Sequence, residues 1–357
     1  MKFFKDTIQF FRREPKWAFV LAAVLILFAV IHIRGERAEK KNRSHAALQQ
    51  FDQMENRFKN KIKAEGGLEK YLKDKPSLFW LSQILSILLL VTFMLGLMLD
   101  YGWLTKPRWR SGIQASTGPP EATWGTSAIL KTILLFIVGS IGISLLLGAV
   151  KTFLFPHWDT NFLILFHTTL SDFLCIGLVI YFVQRSGVSW RDLGFKSAEA
   201  KDFWLGVAGY MAIIPLFALA LTLLILMSQL FSFEPSPHPL VEVFLEEEKS
   251  PGMIGYSIFL ACVVGPFLEE IFFRGFCYPA LKKRWGRNWG LLLSSAFFSA
   301  IHNNLFAFIP VFILGLSLGY LYEKRGTLIP SITLHILHNS IFILYFFLAK
   351  DLIKGLS

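Results

Sequence analysis

The sequence predicts an all-α fold, a polytopic helical membrane protein with about eight to nine transmembrane helices. Three observations carry this. Of 357 residues 54% are hydrophobic and only 17% are charged, and the mean hydropathy is +0.51. The apolar residues gather into runs near the roughly 20 residues that a helix needs to cross a bilayer. The cations behind the net charge of +11 sit largely between those runs. Composition this apolar excludes intrinsic disorder, and cationic loops account for the charge without a nucleic-acid partner.

In chain order the runs cover residues 17–33, 78–99, 128–155, 162–183, 203–230, 253–273 and onward, 289–302, 305–322 and 328–348. The first is followed by Arg34, Gly35, Glu36 and Arg37 rather than by a small-residue cleavage site, so it reads as an anchor. Cys175, Cys262 and Cys277 lie in or beside apolar runs without paired spacing, and read as reduced packing residues.

Lys and Arg mark cytoplasmic loops. They follow the second run (Lys106, Arg108, Arg110), the fourth (Arg185, Arg191, Lys196, Lys201), the sixth (Lys282, Lys283, Arg284, Arg287) and the eighth (Lys324, Arg325). The fifth is followed by Glu246, Glu247 and Glu248. Even connections are therefore expected in the cytoplasm. The cluster Arg34, Arg37, Lys40, Lys41 and Arg43 conflicts with that parity.

Beyond it, Leu48, Phe51, Met54, Phe58 and Ile62 recur every three or four residues, the apolar stripe of an amphipathic helix. Residues 111–126, rich in Gly, Pro, Ser and Thr, read as a linker. The linker divides a two-span appendage, residues 1–110, from a seven-span body, residues 127–350. A second breaker-rich loop covers residues 234–239.

An ionisable side chain at mid-membrane costs roughly 2.5–3.5 kcal/mol on insertion scales, so those that persist there generally have a task. Three groups stand out: Glu269, Glu270 and Arg274; His302; and His335, His338 and Asn339. At 1.5 Å per residue, Glu269 and His302 each lie about 20 Å from a turn at residues 284–288, mirror images across a helical hairpin. The last helix climbs about 10 Å from Leu328 to His335 and about 16 Å to Asn339. His335 and Asn339, spaced i,i+4, share a face. Glu270 and Arg274 have the spacing and order of an intrahelical ion pair. Glu269 points about 100° away from its neighbour and is left as a general base.

Asn303 and Asn304 break the apolar run at depth, where broken helices line cavities. His167 and His32 read as hydrogen-bonded packing residues, His338 as ligand, support or bystander, and Gly315 and Gly319 as a close helix-packing face. Glu and His around a water describe hydrolysis, and a second His with an Asn offers donors for an oxyanion. Glu269, His302 and His335 are also an acceptable divalent-metal set, zinc for example, although HExxH is absent. Two other readings compete: a catalytically silent scaffold or immunity-type binder, and an ion-coupled transporter, against which no inverted repeat is visible.

The ordered set Glu269-Glu270-x-x-x-Arg274, Phe298-x-x-x-His302 and His335-x-x-x-Asn339 resembles the three motifs of the CPBP intramembrane proteases. That family includes the type II CAAX prenyl endopeptidases and the bacterial Abi, or bacteriocin-immunity, proteins. The resemblance covers roughly residues 124–348. It implies a glutamate-dependent endopeptidase in which Glu269 and His302 activate water and His335 and Asn339 stabilise the oxyanion. Glu270, Arg274 and Phe298 would support them. It further implies a membrane-embedded or lipid-anchored peptide substrate, and the short loops look like those of a bacterial plasma-membrane member.

Overall fold

A computed structural model describes residues 10–34, 76–113, 118–195, 198–231 and 250–354, together with residues 56, 60, 63, 64, 66 and 70. The stripe from Leu48 to Ile62, the loop at 234–239, Glu246 to Glu248 and the His32 side chain lie outside the described residues.

Among the described residues all regular structure is helical. The elements are α1 (Pro15–Arg34), α2 (Pro76–Thr105), α3 (Pro107–Ile113), α4 (Thr126–Phe153), α5 (Thr160–Arg185), a 3₁₀ turn (Trp190–Leu193), α6 (Ala200–Phe231) and α7 (Pro251–Phe259). A π turn (Leu260–Val264), α8 (Gly265–Glu270), a second π turn (Ile271–Cys277), α9 (Tyr278–Ala300), α10 (Leu305–Arg325) and α11 (Ile329–Lys354) complete the chain. Seven of the described helical segments are long and apolar enough to cross a membrane, with the stretch Pro251–Ala300 counted as one. That stretch folds back on itself at Gly286, whose φ of 81° and ψ of 169° are not helical. The chain is an integral, multi-pass helical membrane protein.

The turn at Gly286 lies inside the expected one at 284–288. Its two arms meet where mirror symmetry requires: the Phe273 ring lies 5.3 Å from Phe297 and 5.1 Å from Phe298. Small residues bring α9 and α10 together. A Cβ on Gly315 would sit 3.0 Å from Ser295 Cβ, and one on Gly319 would sit 2.9 Å from Leu291, which makes this pair the close-packing face. Helix α10 ends at Gly326, whose left-handed φ of 69° lets its N–H return to the Tyr322 carbonyl. Helix α11 then runs back against α10 and α6.

The opposite wall is α4 against α5, with Asp159 capping α5 through the Phe162 N–H. Helix α2 packs on α6 where Gly96 faces the Met211 carbonyl and the internal Pro215. Below the hairpin turns, Arg325 is buried and paired with Asp202 at 2.6 Å. Its neighbour Glu199 lies outside the spans, where the Lys201 ammonium holds the carboxyl below the usual range. Buried apolar residues concentrate on the second π turn, α9 and α10. Exposed Leu, Ile, Phe and Met line the outer faces of α2, α4 and α6, the reverse of a soluble core and suited to hydrocarbon.

Candidate active site

Two π turns bracket the short helix that carries the paired glutamates. In the first, the Gly265 N–H reaches back five residues to the Leu260 carbonyl. Position 266 is Pro, which has no N–H, so the next carbonyl along, that of Ala261, receives no donor from its own helix. The second turn repeats the device, with Tyr278 N–H on the Phe273 carbonyl and Pro279 following. Such π segments recur at functional sites because each rotates the residues beyond it.

Glu270 is fully buried and its Oε1 accepts two bonds, from Arg274 Nη1 at 2.8 Å and from His335 Nδ1 at 2.9 Å. The expected i,i+4 ion pair is therefore present and extends to a second helix. An oxygen that accepts from a guanidinium leaves His335 to donate, so Nδ1 carries the proton and Nε2 turns outward. Glu269 Oε2 lies 3.7 Å from that Nε2. Arg274 spends a second donor on the Gly315 carbonyl at 3.1 Å, which ties the carboxylate helix to the close-packing face of α10.

Phe298 is the hub. Its buried ring lies 4.4 Å from the Arg274 guanidinium, 4.9 Å from His302 and 5.6 Å from His335. The Phe298 carbonyl fixes His302 by accepting from its Nδ1 at 2.8 Å, so His302 also presents Nε2. Directly after His302, Asn303 adopts a left-handed φ of 48° and Asn304 caps α10 through the Ala307 N–H. The apolar run thus breaks where the sequence placed the break. Asn339 sends one Nδ2 hydrogen to the unsatisfied Ala261 carbonyl at 2.8 Å. His338 turns the other way, against Tyr210 and Phe217 of α6, and His167 bonds Ser140; both are packing residues.

Glu269 projects into a cavity of about 430 Å³ between α4, α5 and the hairpin. Two polar neighbours there, Thr132 of α4 and Asp172 of α5, escaped sequence reasoning. Asp172 was visible as an acidic residue within the apolar run 162–183. Its partner across the cavity lies almost a hundred residues away, which spacing within one helix could not show.

Among the described residues no group of three or more His, Cys, Asp and Glu side chains is arranged to hold a metal ion. Glu269, His302 and His335 do not form such a set. Nδ1 of each imidazole is engaged, one by Glu270 and one by a carbonyl, and no step of the chemistry below passes through a metal.

No curated protein and no solved structure matches the chain. Residues 251–341 match the family model described as Type II CAAX prenyl endopeptidase Rce1-like. The matched stretch runs from the start of α7 into α11 and holds every residue of the three motifs, so that this part of the chain is similar to the type II CAAX prenyl endopeptidases.

Proposed function

We propose that the protein is an intramembrane endopeptidase that hydrolyses a peptide bond of a membrane-embedded or lipid-anchored substrate, in the plasma membrane of a bacterium. The observation that carries this reading is the sharing of Glu270 between Arg274 and His335, which aims His335 Nε2 at Glu269 beside a cavity. Glu269, half-exposed to that cavity, takes a proton from water, with His302 Nε2 as the second acceptor. The hydroxide oxygen adds to the scissile carbonyl carbon. The oxyanion receives the second Nδ2 hydrogen of Asn339 and, once the ring has taken a further proton from solvent at Nε2, a hydrogen from His335. Collapse breaks the C–N bond, and the proton held by Glu269 passes to the leaving amine. Glu270 and Arg274 touch no reacting atom; they position His335.

The test is cleavage of a membrane-embedded reporter peptide by full-length protein in lipid nanodiscs. Glu269→Gln and His302→Ala abolish cleavage while insertion and melting behaviour are kept. Full activity in both variants overturns the proposal and returns the chain to the silent-scaffold reading.

A further inference from the structure

The cavity beside Glu269 contains more polar chemistry than hydrolysis uses. Thr132 is fully buried on α4, lines the cavity, and its Oγ1 has no hydrogen-bond partner among the described residues. A buried hydroxyl without a partner costs on the order of 1–3 kcal/mol, and such a group in a native protein calls for a ligand or a water. Asp172 lines the same cavity from α5, and the remaining lining is apolar, Phe136, Ile137 and Ile176 among it.

The lining includes no Lys or Arg. Two cations of the surrounding helices are committed elsewhere: Lys131, adjacent to Thr132 in sequence, bonds Glu14 at 2.6 Å, and Arg274 is divided between Glu270 and Gly315. Asp172 and Glu269 thus share an apolar chamber with no fixed cation on its wall. A ligand that brings a positive charge relieves that imbalance, and a hydroxyl with free lone pairs on the lining of the same cavity adds an acceptor that an ammonium can use. The apolar wall suits the methylene stem of such a side chain, with the charged head drawn to the polar end.

We infer that Asp172 and Thr132 form a specificity subsite for a cationic side chain of the substrate, a lysine next to the bond that Glu269 addresses. The inference rests on the proposed peptidase reading for its place beside the cleaved bond, but not for the binding itself. Asp172 and Thr132 hold the ammonium, and the neighbouring carboxylate of Glu269 is left to the water.

The test uses full-length protein in phosphatidylcholine nanodiscs and three transmembrane peptides that differ only in one residue beside the cleaved bond: Lys, norleucine or Glu. The lysine peptide is cleaved with at least about tenfold higher kcat/KM than the norleucine peptide, the scale on which one well-placed polar contact discriminates. The glutamate peptide is poorest. Asp172→Asn brings the lysine-to-norleucine ratio to within about twofold, and Thr132→Val, which keeps shape, lowers it part of the way. A ratio near one in the wild type, or one untouched by both substitutions, overturns the subsite.

A second readout needs no cleavage. Cys175 lines the same cavity, so its modification by methyl methanethiosulfonate, read by mass spectrometry, is slowed by the lysine peptide and not by the norleucine peptide. That protection is lost in Asp172→Asn. Protection without cleavage sinks the peptidase reading and keeps the subsite; cleavage without lysine-dependent protection or preference does the reverse.

Discussion

Asn339 donates from Nδ2 to the carbonyl of Ala261 at 2.8 Å, on the first turn of a π segment. Pro266 makes this bond available. In the π register the donor to Ala261 would come from position 266, and proline has none. Restoring it through Pro266→Ala sets a backbone N–H in competition with Asn339. The side chain is then free to swing, and kcat/KM on the reporter peptide falls by about tenfold with the protein still inserted. Asn339→Ala removes the donor outright and costs about 10²- to 10³-fold, as for other single oxyanion donors.

The pair of Glu270 and Arg274 sets stability as well as geometry. Arg274 is 1% exposed and Glu270 0%. Glu270→Ala strands a buried guanidinium and lowers stability by about 3–5 kcal/mol, whereas removing both charges, as in Glu270→Leu with Arg274→Met, costs less than the sum of the two single changes. Chemical denaturation in detergent measures the cycle. The variants that remove Glu270 also lose activity, because His335 Nδ1 then lacks the acceptor that orients it.

At the interface of α9 and α10 the two glycines are not equivalent. A methyl on Gly315 meets Ser295 Cβ at 3.0 Å, Ser295 Cα at 3.2 Å and Phe298 at 3.3 Å. The same methyl on Gly319 meets only the end of Leu291, a side chain that can rotate away. Gly315→Ala therefore destabilises by about 1–3 kcal/mol and reduces kcat by displacing Phe298 and the carbonyl that Arg274 uses. Gly319→Ala is milder in both, as melting temperature and turnover will show.

Helix α1 is attached by a pH-sensitive contact. Glu14 bonds Lys131 of α4 at 2.6 Å, and Phe10 and Trp17 flank the ammonium. Lys131, and after it the Trp17 indole, hold the Glu14 carboxyl below its usual range. A carboxyl depressed in the folded state stabilises above its unfolded pKa, and that contribution is lost as pH falls through the depressed value. The α1–α4 distance between spin labels stays constant at neutral pH and lengthens on acidification below the ordinary carboxylate range. In Glu14→Gln it no longer changes with pH.

Much of this was legible along the chain. All nine apolar runs became described helices or helical arms of matching position, the turn at Gly286 fell inside the expected five residues, and the Glu270–Arg274 pair followed from spacing. Spacing works there because rise per residue hardly varies, so depth along a helix can be counted. It carried less for Asn339. Its place one turn beyond His335 suggested a donor for an oxyanion, but one of its two amide hydrogens is spent on a carbonyl that only the π register leaves unsatisfied.

The sequence by itself determined an all-helical membrane protein, the three motifs and their common depth, because hydrophobic length and helical rise are local properties. Tertiary structure alone decided which groups face one another: His335 set between two glutamates, Phe298 at the junction of three charged or ring groups, and Thr132 and Asp172 across a cavity from Glu269. Azimuth is the reason. The direction a side chain takes from its helix depends on accumulated twist, which two π turns reset, and on the neighbour that packs against it, and neither is written in the spacing of residues along one span.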